Sequence, residues 1–413
     1  MLGPLNINLA DFNVSCENGF LPDETPLERL QETYQEWEAI IEKLPLLLQT
    51  KSLRASIDRM QILSTDHLKS EPEWQRAYLI LSFFTHGYIW EAGGPSQRLP
   101  PQITIPFLKI SHHFDLPTTA TYSALNLWNF AAISPDADIR KIENLRSLST
   151  FTGGEDEEWF YLISVTIEAH GARVIPTMMK AIDAVRANES SVVTDALIQF
   201  SHCVQEIGEI LKRMTKKCRP QVFYNEIRPF LAGSKNMEVA GLPNGVFYDE
   251  GEGKGQWRKY SGGSNAQSSL IQFFDVILGV QHSPTKGSIG LKNGFLREMR
   301  KYMPGKHREF LQHIESVSNI RSYAETTSDN QVTEAYNRAV EELKKFRDVH
   351  IGIVTRYIIN PARQHSPAAN AGLNLAVASA NPSSTKELHG TGGTQLLPFL
   401  KQSRDETRDT RIP

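Results

Sequence analysis

Hydrophobic positions along this chain recur mostly at steps of three and four, the period of a helix with one buried face. The pattern predicts helices over 26–49, 52–63, 72–90, 105–113, 118–133, 157–172, 175–187, 191–216, 220–228, 266–281, 294–302, 305–317 and 331–359. Strand-like alternation is scarce, and short pieces such as 245–249 read as local hairpin. The expected fold class is all-α. The acidic, glycine-containing run FTGGEDEE at 151–158 precedes an apolar helix and predicts a boundary between a smaller unit, 1–150, and a larger one, 151–413. Residues 361–389 are rich in Ala, Ser, Pro and Asn without an amphipathic period, which predicts a long mobile loop serving as lid or linker. A Gly-Thr turn, GTGGT, and one short final helix follow.

Composition narrows the class. A chain of 413 residues, 40% hydrophobic and 22% charged, can bury large cores in two or three domains. Its net charge of −3 gives no electrostatic case for nucleic acid or an acidic membrane surface. Cys16, Cys203 and Cys218 are widely spaced and odd in number, which fits a reducing compartment and excludes a disulfide framework. The N-terminal stretch lacks the basic start and apolar centre of a signal peptide. AYLILSFF and FFDVILGV are too short to span a bilayer. A cytoplasmic protein is expected.

The residues that could carry chemistry stand out as polar groups on apolar stripes. Val340, Leu343, Arg347, His350, Val354 and Tyr357 share one helix face. The ordinary reading of His350 is a core histidine bonded to a carbonyl; the sharper one is a single axial ligand to haem iron. Asp275 interrupts FFDVILGV, and a carboxylate there is costly unless paired. It either pairs with Arg347 beneath the same site, or one of the two meets an acidic cofactor edge, or each is solvated at a helix margin. Arg228 precedes Pro229, which disfavours helical backbone at the arginine and predicts a guanidinium at a helix terminus near Phe223 and Tyr224. Such an arginine can bind a carboxylate bidentately, although covering a helix end at the surface is the commoner outcome. Ser164, flanked by Phe160 and Tyr161 in WFYLISVTIEA, either bonds back to its own helix or meets a ligand in a cavity. SGGSNAQSS and GTGGT lack the pattern of a dinucleotide or phosphate loop, so nucleotide binding is rejected. No HExxH, GxSxG or nucleophilic-cysteine context supports hydrolysis.

Six ordered motifs together resemble the indoleamine 2,3-dioxygenase family: LPPQITIPFLKISHHFDLP, VIPTMMKAI, SGGSNAQSSLIQFFDVILGVQ, REMRKYMPGKHREFL, FRDVHIGIVTRYI and HGTGGTQLLPFLK. They span roughly residues 75 to 402. The resemblance implies two helical domains with haem b between them, mostly in the larger. It makes His350 the proximal iron ligand, and Arg347 and Asp275 a pair helping to hold the haem and its histidine. Phe223 and Arg228 match the distal aromatic and the clamp for the substrate carboxylate; Ser164, Phe160 and Tyr122 match the wall around the indole. Ser264 and Thr391 match polar positions near the haem edge and the amino-acid end of the substrate.

The implied reaction cleaves the indole C2–C3 bond of L-tryptophan with O2 to give N-formyl-L-kynurenine. It requires ferrous haem and an electron donor, in a protein expected to be a monomer. Leu125 and Asn126 depart from the small or apolar residues common at their positions, and SNAQ from a more uniformly small loop. Three alternatives remain open: a myoglobin-like O2-binding protein on the same fold, a dioxygenase of low tryptophan affinity acting on other indoles, and a signalling scaffold with vestigial catalysis.

Overall fold

The computed structural model of the chain describes residues 7–284, 294–364, 388, 390–391 and 396–413. Helices dominate, and the all-α expectation holds. The two longest run Ser190–Lys212 and Asn330–Val354 and pack along each other. The first buries Val193, Ala196, Leu197, Phe200, Val204 and Ile207; the second buries Val332, Tyr336, Ala339, Val340 and Leu343. Asp329 caps the second helix by accepting from the Gln331 amide at 3.0 Å. Its far end widens into a π turn, Thr355–Ile359, rather than ending. The helix Glu71–Trp90 starts in a capping box formed by Ser70 and Glu73 and is buried on nearly every side. Glu155–Gly171, Ser269–Leu278 and the C-terminal helix Leu396–Arg408 complete the frame of the site.

Several boundaries differ from the expected ones for identifiable reasons. The helix expected over 26–49 begins only at Gln35, after a 3₁₀ turn, and breaks at Lys43, two residues before Pro45. The helix expected over 118–133 is replaced by extended chain, a π turn Ser123–Leu127 and the short strand Ala131–Ala132, paired with Leu145–Arg146. Tertiary partners claim this backbone. Tyr78 donates to the Pro117 and Thr119 carbonyls at 2.8 and 3.0 Å, and Tyr248 to Thr118 at 2.6 Å. Ile320–Thr326 is an unanticipated helix. The hairpin near 245–249 is longer than expected. Val246–Gly251 and Lys254–Arg258 pair antiparallel around Glu252 and Gly253, both at positive φ, and Arg98–Leu99 joins as a parallel strand.

Residues 361–364 of the anticipated loop finish the helix Asn360–Gln364; the rest, apart from Leu388, lies outside the described residues. One hydrophobic core runs from Leu9 to Tyr357, across residue 150. Phe12 and Phe20 lie 5.6 and 5.8 Å from the ring of Phe310, so the first described residues pack on the helix Gly305–Val317.

Candidate active site

A cavity of about 230 Å³ lies among these helices. One water needs roughly 10–15 Å³ by the same measure, so this space suits a large ligand. All ten residues singled out above line it: Tyr122, Phe160, Ser164, Phe223, Arg228, Ser264, Asp275, Arg347, His350 and Thr391. Three π turns, Ser123–Leu127, Phe223–Ile227 and Thr355–Ile359, each contribute lining side chains. A π turn inserts one extra residue and so re-aims the side chains around it, a device common at functional sites.

The floor carries the charges. His350 borders the cavity from the helix Asn330–Val354 and is only partly shielded from it. Burial within the protein, and next the charge of Arg347, pull its pKa down to about 4, so the ring is neutral at physiological pH. Among the described residues neither ring nitrogen has a hydrogen-bond partner, which leaves a lone pair for the cavity. The reading of Asp275 and Arg347 as separate solvated groups fails, because both are buried. Arg347 Nη2 donates to both carboxylate oxygens at 2.7 Å. Its Nη1 donates to Thr407 and, at 3.4 Å, to the Ser403 carbonyl. With its terminal nitrogens so engaged, Arg347 offers the cavity its Nε–H and its positive field.

Aromatic side chains line another part of the cavity. Phe223 lies 4.9 Å from Phe160 and 5.7 Å from Tyr357, centroid to centroid. Arg228 is only 3% exposed and stands 5.7 Å over the ring of Tyr224. Burial lowers its pKa to about 10, which leaves it cationic at neutral pH. Its backbone is helical, at φ −54° and ψ −35°, against the bias imposed by Pro229. The π turn immediately before it is where the chain departs from regular helix. Ser164 is buried and approaches the Tyr122 hydroxyl, and no bond back to its own helix is seen among the described residues.

Behind this wall Tyr122 and Ser268 donate to Glu168 Oε1 at 3.0 and 2.7 Å. Burial raises the Glu168 carboxyl to about 7, partly offset by these two bonds. Asn126 donates to the Tyr122 carbonyl at 3.2 Å, while its amide oxygen is buried without a partner among the described residues.

The glycine loop joins the two walls. A Cβ on Gly262 would stand 2.0 Å from the Leu231 carbonyl oxygen, so only glycine lets the two backbones meet. Gly262 donates to the Thr391 carbonyl at 3.2 Å, and Thr391 Oγ1 donates to Gly263 O at 2.8 Å. The Thr391 hydroxyl is thereby oriented but can still accept. Ser264 Oγ accepts from the Ala266 amide at 3.3 Å. Gln267 ties the loop to the wall, accepting from the Tyr122 amide at 2.9 Å.

The family model for indoleamine 2,3-dioxygenase matches residues 8–410. The chain belongs to the indoleamine 2,3-dioxygenase family. An indoleamine 2,3-dioxygenase of Saccharomyces cerevisiae is 42% identical, covering 97% of this chain and 92% of the relative. One of Aspergillus nanangensis is 41% identical, covering 98% of each. A 6-hydroxytryptophan 2,3-dioxygenase of Fusarium equiseti is 37% identical, again covering 98% of each. The protein is thus a dioxygenase of the haem-dependent indoleamine 2,3-dioxygenase type.

The residues present fit a haem. A neutral imidazole with a free lone pair faces the cavity, and the Arg347 cation and Ser264 hydroxyl can meet carboxylates at the edge of the group. Among the described residues no cluster of three His, Cys, Asp or Glu could hold a bare metal ion. Sequence reasoning missed His282, Ser403, Glu406 and Thr407, which complete the floor, and Glu168 behind the wall. Asp275 and His282 are seven residues apart, the one available signal, but Gly279 ends the helix between them in a left-handed conformation.

Proposed function

We propose that this enzyme converts L-tryptophan and O2 to N-formyl-L-kynurenine on haem b. The observation that carries the reading is one cavity lined both by a neutral His350, whose ring nitrogens have no hydrogen-bond partner among the described residues, and by a buried cation, Arg228. His350 would bind the iron, with Arg347, Asp275 and Ser264 holding the haem. When bound in its ferrous state, kept so by an electron donor, the haem supplies the oxygen chemistry.

The chain's own residues orient the substrate. Arg228, desolvated and cationic, draws in the carboxylate. The Thr391 hydroxyl, with its proton committed to Gly263, accepts from the ammonium. Phe223, Phe160 and Tyr122 confine the indole, while Ser164 supplies the wall with a polar contact. The apolar rings also keep water from the reacting centre. The C2–C3 bond breaks and each carbon gains one oxygen atom, so the reaction consumes no reductant and needs no protein acid or base. We assign residues 1–150 to a smaller helical domain and 151–413 to a larger one carrying most of the haem site, with Tyr122 and Asn126 of the smaller completing the pocket and one core shared between them, in a monomer working in the cytoplasm.

A ring-hydroxylated tryptophan is the second reading. Asn126 borders the cavity, and its amide oxygen, without a partner among the described residues, could accept from such a hydroxyl; the Fusarium relative is a 6-hydroxytryptophan dioxygenase. The test is mass spectrometry of the reduced, haem-loaded protein supplied with labelled O2 and either tryptophan or 6-hydroxytryptophan. N-formylkynurenine carrying both labelled atoms is expected from tryptophan. A stable oxygen complex without product from either substrate would overturn the reading in favour of an oxygen carrier.

A further inference from the structure

Beneath the cavity the Asp275–Arg347 pair does not end the polar network. Asp275 Oδ2 also meets His282 Nε2 at 3.0 Å, and His282 Nδ1 meets Glu406 Oε2 at 2.7 Å. Glu406 Oε1 accepts from the Ser283 amide at 2.9 Å and from Gln402 at 2.8 Å. Its neighbour Thr407 accepts from Arg347. The contacts therefore close a ring, Arg347–Asp275–His282–Glu406–Thr407–Arg347, that spans three segments and is shut by the C-terminal helix.

The ring fixes the charge of the histidine. Each imidazole nitrogen faces a carboxylate oxygen, which can only accept. A neutral imidazole has one N–H and would set a lone pair against the other carboxylate; the imidazolium satisfies both. Burial opposes that charge, but Asp275 and Glu406 outweigh it and hold the His282 pKa above its usual value. Burial likewise opposes ionisation of Asp275 and Glu406, and their cationic and hydrogen-bonding neighbours keep both pKa values below the ordinary range. Two cations and two anions sum to zero.

We propose that His282 and Glu406 are positioning residues of the active site: they balance the charge of the Asp275–Arg347 pair and fasten it to the C-terminal helix. The charge beside His350 is then set in part from the last helix of the chain. Losing His282 leaves the cluster at −1 and losing Glu406 leaves it at +1. Losing both leaves the neutral Asp275–Arg347 pair. For its consequence at haem the inference rests on the reading above. Negative charge near iron favours the ferric state and positive charge the ferrous state.

The experiment measures the haem midpoint potential in His282→Gln, Glu406→Gln and the double variant. The potential should fall in the first, rise in the second and return toward the parent value in the double. His282→Gln should also lose haem to a scavenger on the order of tenfold faster. Shifts of one sign in both single variants, or a double variant displaced further from the parent than either single, would overturn charge balance in favour of mere loosening. Thermal melting of the same proteins without added haem reads the ring independently. Each single variant should melt below the parent, and the double no lower than the worse single. Additive losses would sink the inference even if the protein took up no haem, whereas absent haem uptake in the parent would sink the haem reading alone.

Discussion

Arg228 stays cationic at neutral pH with 3% of its surface exposed and borders the cavity, where a carboxylate would meet a largely desolvated guanidinium. A charge-assisted bond to a substrate carboxylate contributes about 1.5–3 kcal/mol, so Arg228→Ala should lower kcat/KM roughly 10- to 100-fold, chiefly by raising KM. Steady-state kinetics on tryptophan checks this; unchanged efficiency would remove the clamp. His350→Ala should leave the fold intact and abolish stable haem retention, so a normal Soret spectrum in that variant would refute the ligand assignment.

Glu168 makes a prediction of a different kind. Its carboxyl titrates at about 7 in the folded protein against an ordinary 4.5. Between these values the native state keeps a proton that the unfolded chain releases, so stability falls as pH rises through the window. Above pH 7 the cost is on the order of 3 kcal/mol, at about 1.4 kcal/mol per pKa unit. Glu168→Gln should therefore gain melting temperature over the parent as pH rises from 4.5 to above 7; a constant difference across that range would contradict the assignment. The anomalies visible in the sequence, Asp275, Arg347 and His350, were those on apolar helical stripes. His282 escaped notice because it lies beyond the end of its helix, where spacing carries no directional information.

Elements position these side chains by small departures from regularity. The run Tyr122–Trp128 reads as ordinary helix, yet it forms a π turn flanked by chain whose carbonyls are taken by Tyr78 and Tyr248. Nothing in the side-chain pattern marks the extra residue of a π turn, since the neighbouring helical period continues on either side. The glycines of the SGGSNAQSS loop were legible as points of close backbone approach, but not what they approach. Gly262 meets the Leu231–Gly233 backbone, three residues beyond Arg228, so the loop holds the clamp and Thr391 in one frame. A methyl group there cannot be accommodated by rotating a side chain. Gly262→Ala should cost about 3 kcal/mol or more, read as a fall in melting temperature together with weakened tryptophan binding. An unperturbed variant would show that the two backbones separate freely.

At the scale of the molecule, the core takes no account of the composition break near residue 151. Phe20 meets His307 at 4.9 Å as well as Phe310, and the Gly305 amide donates to the Phe114 carbonyl at 2.9 Å. Contacts from the first 115 residues thus cap a helix that begins at residue 305. Denaturant unfolding should follow a single cooperative transition. Deletion of residues 1–21 should lower the midpoint markedly by exposing Phe310; two resolved transitions would mean that the halves on either side of 150 are independently stable.

The sequence by itself determined the helical class, the stripe carrying Arg347 and His350, and the family to which the chain belongs. These follow from periodicity and from motifs that keep their order along the chain. The tertiary structure alone decided that ten residues scattered from Tyr122 to Thr391 face one cavity, and that Asp275 and Arg347 are joined. It alone placed His282 and the C-terminal helix beneath them. Contacts between segments distant in the chain depend on π turns, backbone approaches and shared carboxylates, none of which leaves a period in the chain.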